Sequence, residues 1–159
     1  MLPTVKLLDE MDEQMWTLLQ RNLTGITEAE ADWRPHDAAN NVRWMVGHLA
    51  WFEEWAHDAL GNEGRFLVDR DPTAYVEGTI PDILSRFSAA RERYRRRIAD
   101  LRDTDLAQTL SYFGRYEVTK VDLLKTHALH LAGHRFQVRY VRGTYSRAHR
   151  TRKADFDPW

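Results

Sequence analysis

The spacing of apolar residues along the chain predicts four long amphipathic helices. The first covers about residues 4–22, and its apolar face recurs at three- and four-residue steps. That face consists of Leu8, Met11, Met15, Leu18, Leu19 and Asn22. The second covers about residues 41–60, and Asn40 or Asn41 can supply its N-cap. Its inward stripe is Trp44, His48, Trp51, Phe52, Trp55 and Ala59.

The other two predicted helices show the same periodicity. The third begins at Thr79 and ends near Arg102, with a stripe of Ile80, Leu84, Phe87, Arg91, Tyr94, Ile98 and Leu101. The fourth begins near Thr119 and ends at Gly143, with a stripe of Leu123, His127, His130, His134, Gln137 and Val141. Thr79 with Asp82, and Thr119 with Asp122, have the spacing of capping pairs, which supports both starting points.

The connections between these helices differ in length and character. Gly25 ends the first helix, and Thr27 with Glu30 has the spacing of a capping box for a short helical turn. Residues 61–78 are rich in Gly, Asp and Pro and predict a long crossover. Residues 106–118 alternate in part around Gly114 and form either a small hairpin or an extended crossover.

Together these elements predict an all-α fold, a four-helix bundle with one long crossover. The length of 159 residues suits one domain, which we expect to cover residues 1–143. Residues 144–159 are basic and then acidic, and we expect them to form an irregular tail.

Composition excludes several classes of protein. The chain has no cysteine, which rules out disulfide frameworks, cysteine nucleophiles and thiolate metal sites. The net charge of -1 argues against a dedicated nucleic-acid binder. No apolar run approaches the roughly 18 residues that a membrane span needs. The N-terminal residues lack a signal-peptide pattern, so we expect a cytoplasmic location and no membrane partner.

Three histidines lie at inward positions of two predicted helices. His130 and His134 are four residues apart, so their side chains stack on one helical face. His48 is the polar residue in an otherwise apolar stripe of the second helix. A single histidine of this kind is more often a hydrogen-bonded core residue, but the three together predict a metal site. Three imidazoles leave coordination positions open for water or substrate.

Three further residues are candidates for catalytic or supporting roles. His127 lies three residues before His130 and could be a fourth ligand, a partner of a ligand or part of the site wall. Arg91 interrupts an apolar stripe, so it either pairs with a carboxylate or anchors an anionic substrate. Gln137 lies one turn beyond His134 and could orient a ligand or bind water. Glu53 and Glu54 lie off the His48 stripe, and we expect them to be solvated.

The densest basic segment is RERYRRRIADLR, residues 91–102. It invites a nucleic-acid interpretation, but acidic residues are interspersed in and just beyond it, and most of its arginines lie outside the apolar stripe. A charged solvated helix face is the simpler explanation. Neither a glycine-rich phosphate loop nor a Gly-x-Ser-x-Gly motif occurs in the sequence.

Two segments resemble the motifs of a known family. HLAGHRFQ, residues 130–137, resembles the HxxxHRxQ signature of the DinB-like proteins. NVRWMVGHLAWFEEW, residues 41–55, resembles their second-helix motif, in which a histidine followed by leucine supplies the first ligand. The resemblance covers nearly the whole chain. It departs at Phe136, where the family usually has glycine, so a phenyl ring lies beside the ligand helix.

The resemblance implies an up-up-down-down bundle, a homodimer, and one divalent metal held by His48, His130 and His134. Three neutral imidazoles suit Zn, Ni, Fe, Co or Mn, and Zn or Ni is favoured. Some family members are thiol transferases that use bacillithiol or mycothiol. The leading hypothesis is therefore a metal-dependent thiol transferase or hydrolase acting on a small molecule. The alternatives are a non-catalytic metal-binding stress protein and, less favoured, a nucleic-acid-binding bundle.

Overall fold

The computed structural model describes residues 1–61 and 72–149. Its four long helices are α1 (Pro3–Leu23), α3 (Val42–Gly61), α4 (Ile80–Ala99) and α6 (Lys120–Ala148). Shorter elements connect them: α2 (Glu28–Asp32), a 3-10 turn (Pro72–Val76), α5 (Asp103–Leu106) and the strands β1 (Thr109–Tyr112) and β2 (Tyr116–Thr119). The predicted fold class, an all-α four-helix bundle, is confirmed. No helix within the described residues has the length and apolar character to cross a membrane.

The helix starts follow the capping residues predicted from the sequence. The Oδ1 atom of Asn41 accepts a hydrogen bond from the backbone N–H of Trp44 at 2.8 Å. Thr79 and Asp82 form a complete capping box at the start of α4. The predicted box at Thr27 is only half formed: its hydroxyl accepts from the Glu30 N–H, but the Glu30 carboxylate binds Arg142 on α6 instead. The Glu30 side chain therefore links α2 to α6 instead of capping the N-terminus of α2.

Residue contacts define the direction of each helix. α1 and α6 run parallel, because Asp12 contacts His127 and the side chain of Asn22 donates to the backbone oxygen of Arg135 further along. α3 runs against α6, because Glu53 contacts the same His127. Its earlier residue His48 contacts the later residue His130. α4 runs parallel to α3, through the neighbouring pairs Glu53–Arg91 and Gly61–Arg97.

The order of directions is therefore up-down-down-up rather than the expected up-up-down-down. An up-up-down-down bundle needs two long crossovers, and this chain has one. The predicted crossover, residues 61–78, lies between the parallel helices α3 and α4, and its residues 62–71 are outside the described part of the chain. The other connections reverse the chain direction.

Two predicted boundaries differ from the structure. The third helix ends at Ala99 rather than near Arg102, and the short α5 follows it. α6 continues past Gly143 to Ala148, so the predicted end at this glycine is wrong and the helix enters the predicted tail. Gly143 is a helix-interior residue, where its cost is modest and packing overrides it. The rest of the tail, residues 150–159, lies outside the described residues.

The segment between α5 and α6 is the hairpin, the first of the two alternatives. β1 and β2 pair antiparallel, with Leu110 opposite Val118 and Tyr112 opposite Tyr116. Phe113 and Gly114 form the turn, with φ angles of 52° and 65°. The Arg115 N–H donates to the Tyr112 carbonyl at 3.1 Å and closes it. A non-glycine residue at positive φ is strained, and Phe113 is held there by packing described below.

The buried face of α1 is offset from the predicted one. Met11 lies outside the core with 47% of its surface exposed. The buried residues of α1 are Val5, Asp9, Asp12, Trp16, Leu19, Asn22 and Leu23. Two acidic residues are among them, because each finds a cationic partner on another helix: Asp9 binds Arg95, and Asp12 binds Arg91.

Candidate metal centre

The three predicted metal ligands meet between α3 and α6. The Nε2 atom of His130 lies 3.0 Å from Nε2 of His48 and 3.0 Å from Nε2 of His134. One ligand atom from each ring lies within 4.8 Å of the others. We call these three residues the histidine set. Its geometry follows from the sequence, since the four-residue spacing on α6 presents two rings to the antiparallel helix that carries the third.

Aromatic side chains surround the histidine set. The His48 ring stacks on Trp44, with centroids 4.8 Å apart and planes 9° apart, and contacts Trp51 at 5.6 Å. Phe52 meets the His130 ring edge-on at 4.3 Å. These rings fix the orientation of the imidazoles and reduce the water around them. Trp44, Trp51 and Phe52 belong to the predicted inward stripe of α3.

Burial keeps the histidine set uncharged at neutral pH. Burial, reinforced by the neighbouring His134, lowers the pKa of His48 to about 4. Burial and the other histidines lower the pKa of His130 to about 3. Burial also lowers the pKa of His134, against a raising contact with the side chain of Gln137. A neutral imidazole offers the lone pair that a metal requires, so all three rings are ready to bind at pH 7.

The donor set fits a divalent transition metal. Two M–N bonds of about 2.0–2.1 Å at a tetrahedral angle separate the nitrogens by about 3.3 Å. The observed 3.0 Å separations are close to this value, so a small outward movement of the rings would accommodate an ion. Three imidazoles would hold such an ion and would leave a position open for water or substrate. Imidazole suits Zn, Ni, Fe, Co or Mn.

His127 faces away from the histidine set, into a buried charge cluster. Its Nδ1 atom lies 3.0 Å from Asp12 Oδ1, and its Nε2 atom lies 3.0 Å from Glu53 Oε2. Arg91 Nη1 lies 2.7 Å from Asp12 Oδ2 and 3.0 Å from Glu53 Oε1. We call Asp12, Glu53, Arg91 and His127 the charge cluster. Each of the four long helices contributes one of its members.

The contacts of the charge cluster and its neighbours bear on four predictions made from the sequence. Arg91 pairs with carboxylates, including Glu13 at 3.1 Å, which matches the structural alternative to a substrate anchor. His127 contacts carboxylates instead of the other histidines, so it has no place as a fourth ligand in this arrangement. Glu53, expected to be solvated, is only 1% exposed. Its partners come from α4 and α6, which the periodicity of α3 alone could not reveal. Glu54 lies partly buried and pairs with Arg93.

The charges within the cluster balance. Burial alone would lower the pKa of His127, but Glu53 and Asp12 outweigh this effect and raise the pKa to about 10. The ring is then a cation at neutral pH, so two carboxylates face one imidazolium and one guanidinium. Asp12, Glu53 and His127 also have the spacing of a metal-binding set. The Arg91 guanidinium already supplies a positive charge to Asp12 and Glu53.

A hairpin residue extends the aromatic surroundings of the histidine set. Phe113, at the strained turn, stacks on Trp55 at 4.4 Å and on Trp51 at 5.8 Å. Trp51 in turn contacts His48. Phe113 was not among the residues predicted from the sequence, because its role depends on the hairpin, which was one of two alternatives. Its positive φ is the kind of strain that surrounding packing maintains near functional sites.

A cavity of about 390 Å³ lies one turn further along the same two helices. It is lined by Pro35, His36, Ala39, Asn40, Met45, Phe136, Gln137, Tyr140 and Val141. Gln137 also contacts His134, so it connects the cavity with the histidine set. Phe136, the departure from the family pattern, is 56% exposed, packs against the Arg135 guanidinium and lines this cavity.

The basic segment at the end of α4 is paired with acids rather than open to a polyanion. Arg95 binds Asp9 and Glu13, and Arg96 lies 3.8 Å from Glu92. Arg102 binds Asp105 at 3.0 Å. These contacts agree with the interpretation of this segment as a charged helix face.

Comparisons with known proteins agree with this architecture. Residues 11–138 match the family model described as the DinB superfamily. Among solved structures, YfiT from Bacillus subtilis is similar, with a TM-score of 0.71 and 18% sequence identity. The match covers 93% of this chain and 89% of YfiT. YfiT is described as "a probable metal-dependent hydrolase with an unusual four-helix bundle topology". No curated protein sequence matches this chain significantly.

Proposed function

The chain belongs to the DinB superfamily, and from this premise we propose that it is a metal-dependent enzyme acting on a small molecule. The histidine set would hold one divalent cation, with Zn or Ni favoured. The observation that carries the proposal is the convergence of three neutral imidazole Nε2 atoms from two helices. When bound, a divalent cation supplies Lewis-acid chemistry and lowers the pKa of a coordinated water or thiol.

The reaction class is thiol S-transfer or hydrolysis, and thiol transfer fits the surroundings of the site better. Hydrolysis commonly uses a general base beside the attacking water, most often a neutral histidine or a carboxylate. Asp12 and Glu53 are engaged by Arg91 and His127, so neither is available for that role. A thiol has an ordinary pKa of about 8.5, and coordination alone suffices to favour the thiolate at neutral pH. The hydrolase description of YfiT supports the other alternative at the level of the family.

The chain's own residues have three roles in this proposal. His48, His130 and His134 bind the cation. Trp44 and Trp51 shield the His48 ring from water. Gln137 lies between His134 and the 390 Å³ cavity, where its amide can orient a bound molecule. The cavity is within the size range of small-molecule sites, and its lining is mostly apolar.

The proposed partners are a low-molecular-weight thiol and a second copy of this chain. A bacillithiol or mycothiol molecule is the proposed thiol. The pairing of the α4 arginines with acids supports the absence of a nucleic-acid partner. A homodimer fits the large exposed apolar side chains of the neighbouring helices α1 and α6: Leu7, Met11, Leu129, Phe136 and Tyr140. A cytoplasmic location stays a prediction from the sequence.

The experiment is a thiol titration of the cobalt-loaded protein. Co(II) replaces the native ion, and bacillithiol or mycothiol is added while the visible and near-ultraviolet spectrum is recorded. A thiolate-to-cobalt charge-transfer band should appear, should persist in His57→Ala, and should be absent in His130→Ala. His57 is a matched control because it lies on α3 and pairs with its neighbour Asp58.

If neither thiol changes the spectrum at millimolar concentration, the transferase proposal is wrong. Hydrolysis and a non-catalytic metal-binding protein of the stress response then remain. An open coordination position that exchanges water would favour the hydrolase. A coordination sphere completed by the protein would favour the non-catalytic protein.

A further inference from the structure

The charge cluster joins the same two helices that carry the histidine set. Glu53 lies five residues after His48 on α3, and His127 lies three residues before His130 on α6. The contacts His48–His130 and Glu53–His127 are therefore two successive links between antiparallel helices. They are about 7.5 Å apart along α3 and about 4.5 Å apart along α6.

A single ring fills the space between the two links. Phe52 contacts His130 on one side at 4.3 Å and His127 on the other at 5.5 Å. Tyr94 of α4 covers His127 with centroids 4.0 Å apart and planes 12° apart. We call the Glu53–His127 contact the charged link. A slide of α3 along α6 would break the charged link and would require the rings of Phe52 and Tyr94 to repack.

The charged link restricts the register in a way that apolar contacts do not. Buried ion pairs contribute little net stability, because desolvation offsets their attraction, but a displaced register leaves unpaired charges in the core. Both ring nitrogens of His127 lie at 3.0 Å from carboxylate oxygens on different helices. A shift of α3 would separate Nε2 from the Glu53 carboxylate, and a shift of α1 would separate Nδ1 from the Asp12 carboxylate.

We propose that the charge cluster positions α3 against α6, so that His48 meets His130 and His134 before any ion binds. Glu53 and His127 are the positioning residues, and Arg91 and Asp12 balance their charges. The expected consequence of this positioning is tighter metal binding, and that consequence rests on the proposed function. The positioning itself does not depend on a metal.

The test removes the charged link without leaving an unpaired charge. The double variant Glu53→Met/His127→Met deletes one acid and one base and leaves the Asp12–Arg91 pair intact. Glu30→Met/Arg142→Met is the matched control, because it deletes another buried acid–base pair on α6 that lies against α2 instead of α3. Apolar replacement of a whole buried pair is often neutral for stability, so both variants should fold.

The first readout is the Co(II) dissociation constant of each folded variant. We expect the Glu53→Met/His127→Met variant to bind about 10- to 100-fold more weakly than wild type, as for loss of residues that orient metal ligands. The control should bind as wild type does. Thermal unfolding of both metal-free variants shows whether a change in affinity exceeds what a general loss of stability explains.

The second readout uses the metal-free protein. The rings of His48 and His130 have centroids 4.9 Å apart, so their protons should show nuclear cross-relaxation in wild type and in the control. We expect this signal to be lost in Glu53→Met/His127→Met. If that variant does not fold, Glu53→Gln, which keeps the side-chain shape and removes one charge, should weaken the same signal.

Three results separate the possible failures. The positioning proposal is overturned if the variant keeps both the cross-relaxation and the wild-type Co(II) affinity. It is also overturned if the control loses affinity to the same extent. If wild type itself binds no Co(II), the proposed function fails, and the cross-relaxation experiment alone decides whether the cluster positions the helices.

Discussion

The Nε2 atoms of His48 and His130 lie 3.0 Å apart although the residues are 82 positions apart in the chain. Two polar nitrogens are brought together in a part of the bundle that is otherwise aromatic. Such an arrangement is costly without a proton or an ion between the nitrogens. The side chains around them, Trp44 and Phe52 above all, hold the rings in this orientation.

Gly47, the residue before His48, is required by a close contact with the 3-10 turn. A Cβ atom at this position would lie 2.6 Å from Val76 Cγ1 and 2.8 Å from the Tyr75 carbonyl oxygen. Helix propensity alone would make Gly47→Ala stabilising by about 1 kcal/mol. The clash with backbone outweighs this gain, so we expect a net loss of about 1–3 kcal/mol.

Gly133→Ala is the matched control for this prediction. Gly133 is exposed in α6, beside His134, and nothing lies within 4 Å of a Cβ built there. We expect Gly133→Ala to stabilise the protein by up to about 1 kcal/mol. Urea unfolding of the two variants measures both effects. A Gly47→Ala protein as stable as Gly133→Ala would show that the turn does not pack against α3 as described.

Phe113 combines a strained backbone with stacking on Trp51 and Trp55. Both Phe113→Ala and Phe113→Gly remove the ring, but only glycine relieves the positive φ. We therefore expect both variants to be less stable than wild type and the glycine variant to be about 1 kcal/mol more stable than the alanine variant. Chemical denaturation gives the difference directly. Equal stability of the two would mean that the turn has another conformation.

The stability of the metal-free protein should fall as the pH is lowered through the mildly acidic range. The folded-state pKa values of His48 and His130, about 4 and about 3, lie below the ordinary value of 6.5. The unfolded chain therefore binds protons at a pH where the folded chain does not. This favours unfolding as the pH drops from 6.5 toward 4, and the stability is fully present above 6.5.

The comparison with His130→Gln isolates this effect from the acidic groups that titrate in the same range. Glutamine cannot take up the proton, so the variant should lose less stability over the same pH interval. The measurement is the urea midpoint as a function of pH for the two metal-free proteins. Parallel curves would contradict the lowered pKa of His130.

Much of the fold and the histidine set could be predicted from periodicity and spacing. The four-residue step between His130 and His134 places two rings on one face by helix geometry alone. The inward position of His48 follows from the apolar stripe around it. Both predictions use information that is local to one helix.

What the sequence did not reveal depends on pairs of distant residues. Glu53 was expected to be solvated and Asp12 was not among the predicted inward residues of α1, but each is buried because Arg91 and His127 supply opposite charges from other helices. The periodicity of apolar residues within one helix indicates which face is buried. It does not indicate which acidic residues will pair with a buried cation from another helix. The same reason explains the offset of the buried face of α1, where Met11 was predicted and Asp12 is found.

The extent of α6 and the order of helix directions were also missed for physical reasons. A glycine ends a helix only when no packing continues beyond it, and Val141, Arg142 and Ser146 are buried around Gly143. Arg142 binds Glu30 of α2, which holds the last turns of α6 in place. The direction of a helix depends on how far a crossover reaches, and composition alone does not give that distance.

The most direct test of the account is the metal content of the histidine variants. Wild-type protein, purified without a chelator or a polyhistidine tag and reconstituted with Zn(II) or Co(II), should contain about one ion per chain. His48→Ala, His130→Ala and His134→Ala should each lose most of it, whereas His57→Ala should keep it. A metal content equal to wild type in all three of those variants, measured by elemental analysis, would contradict the central claim that these residues form the metal centre.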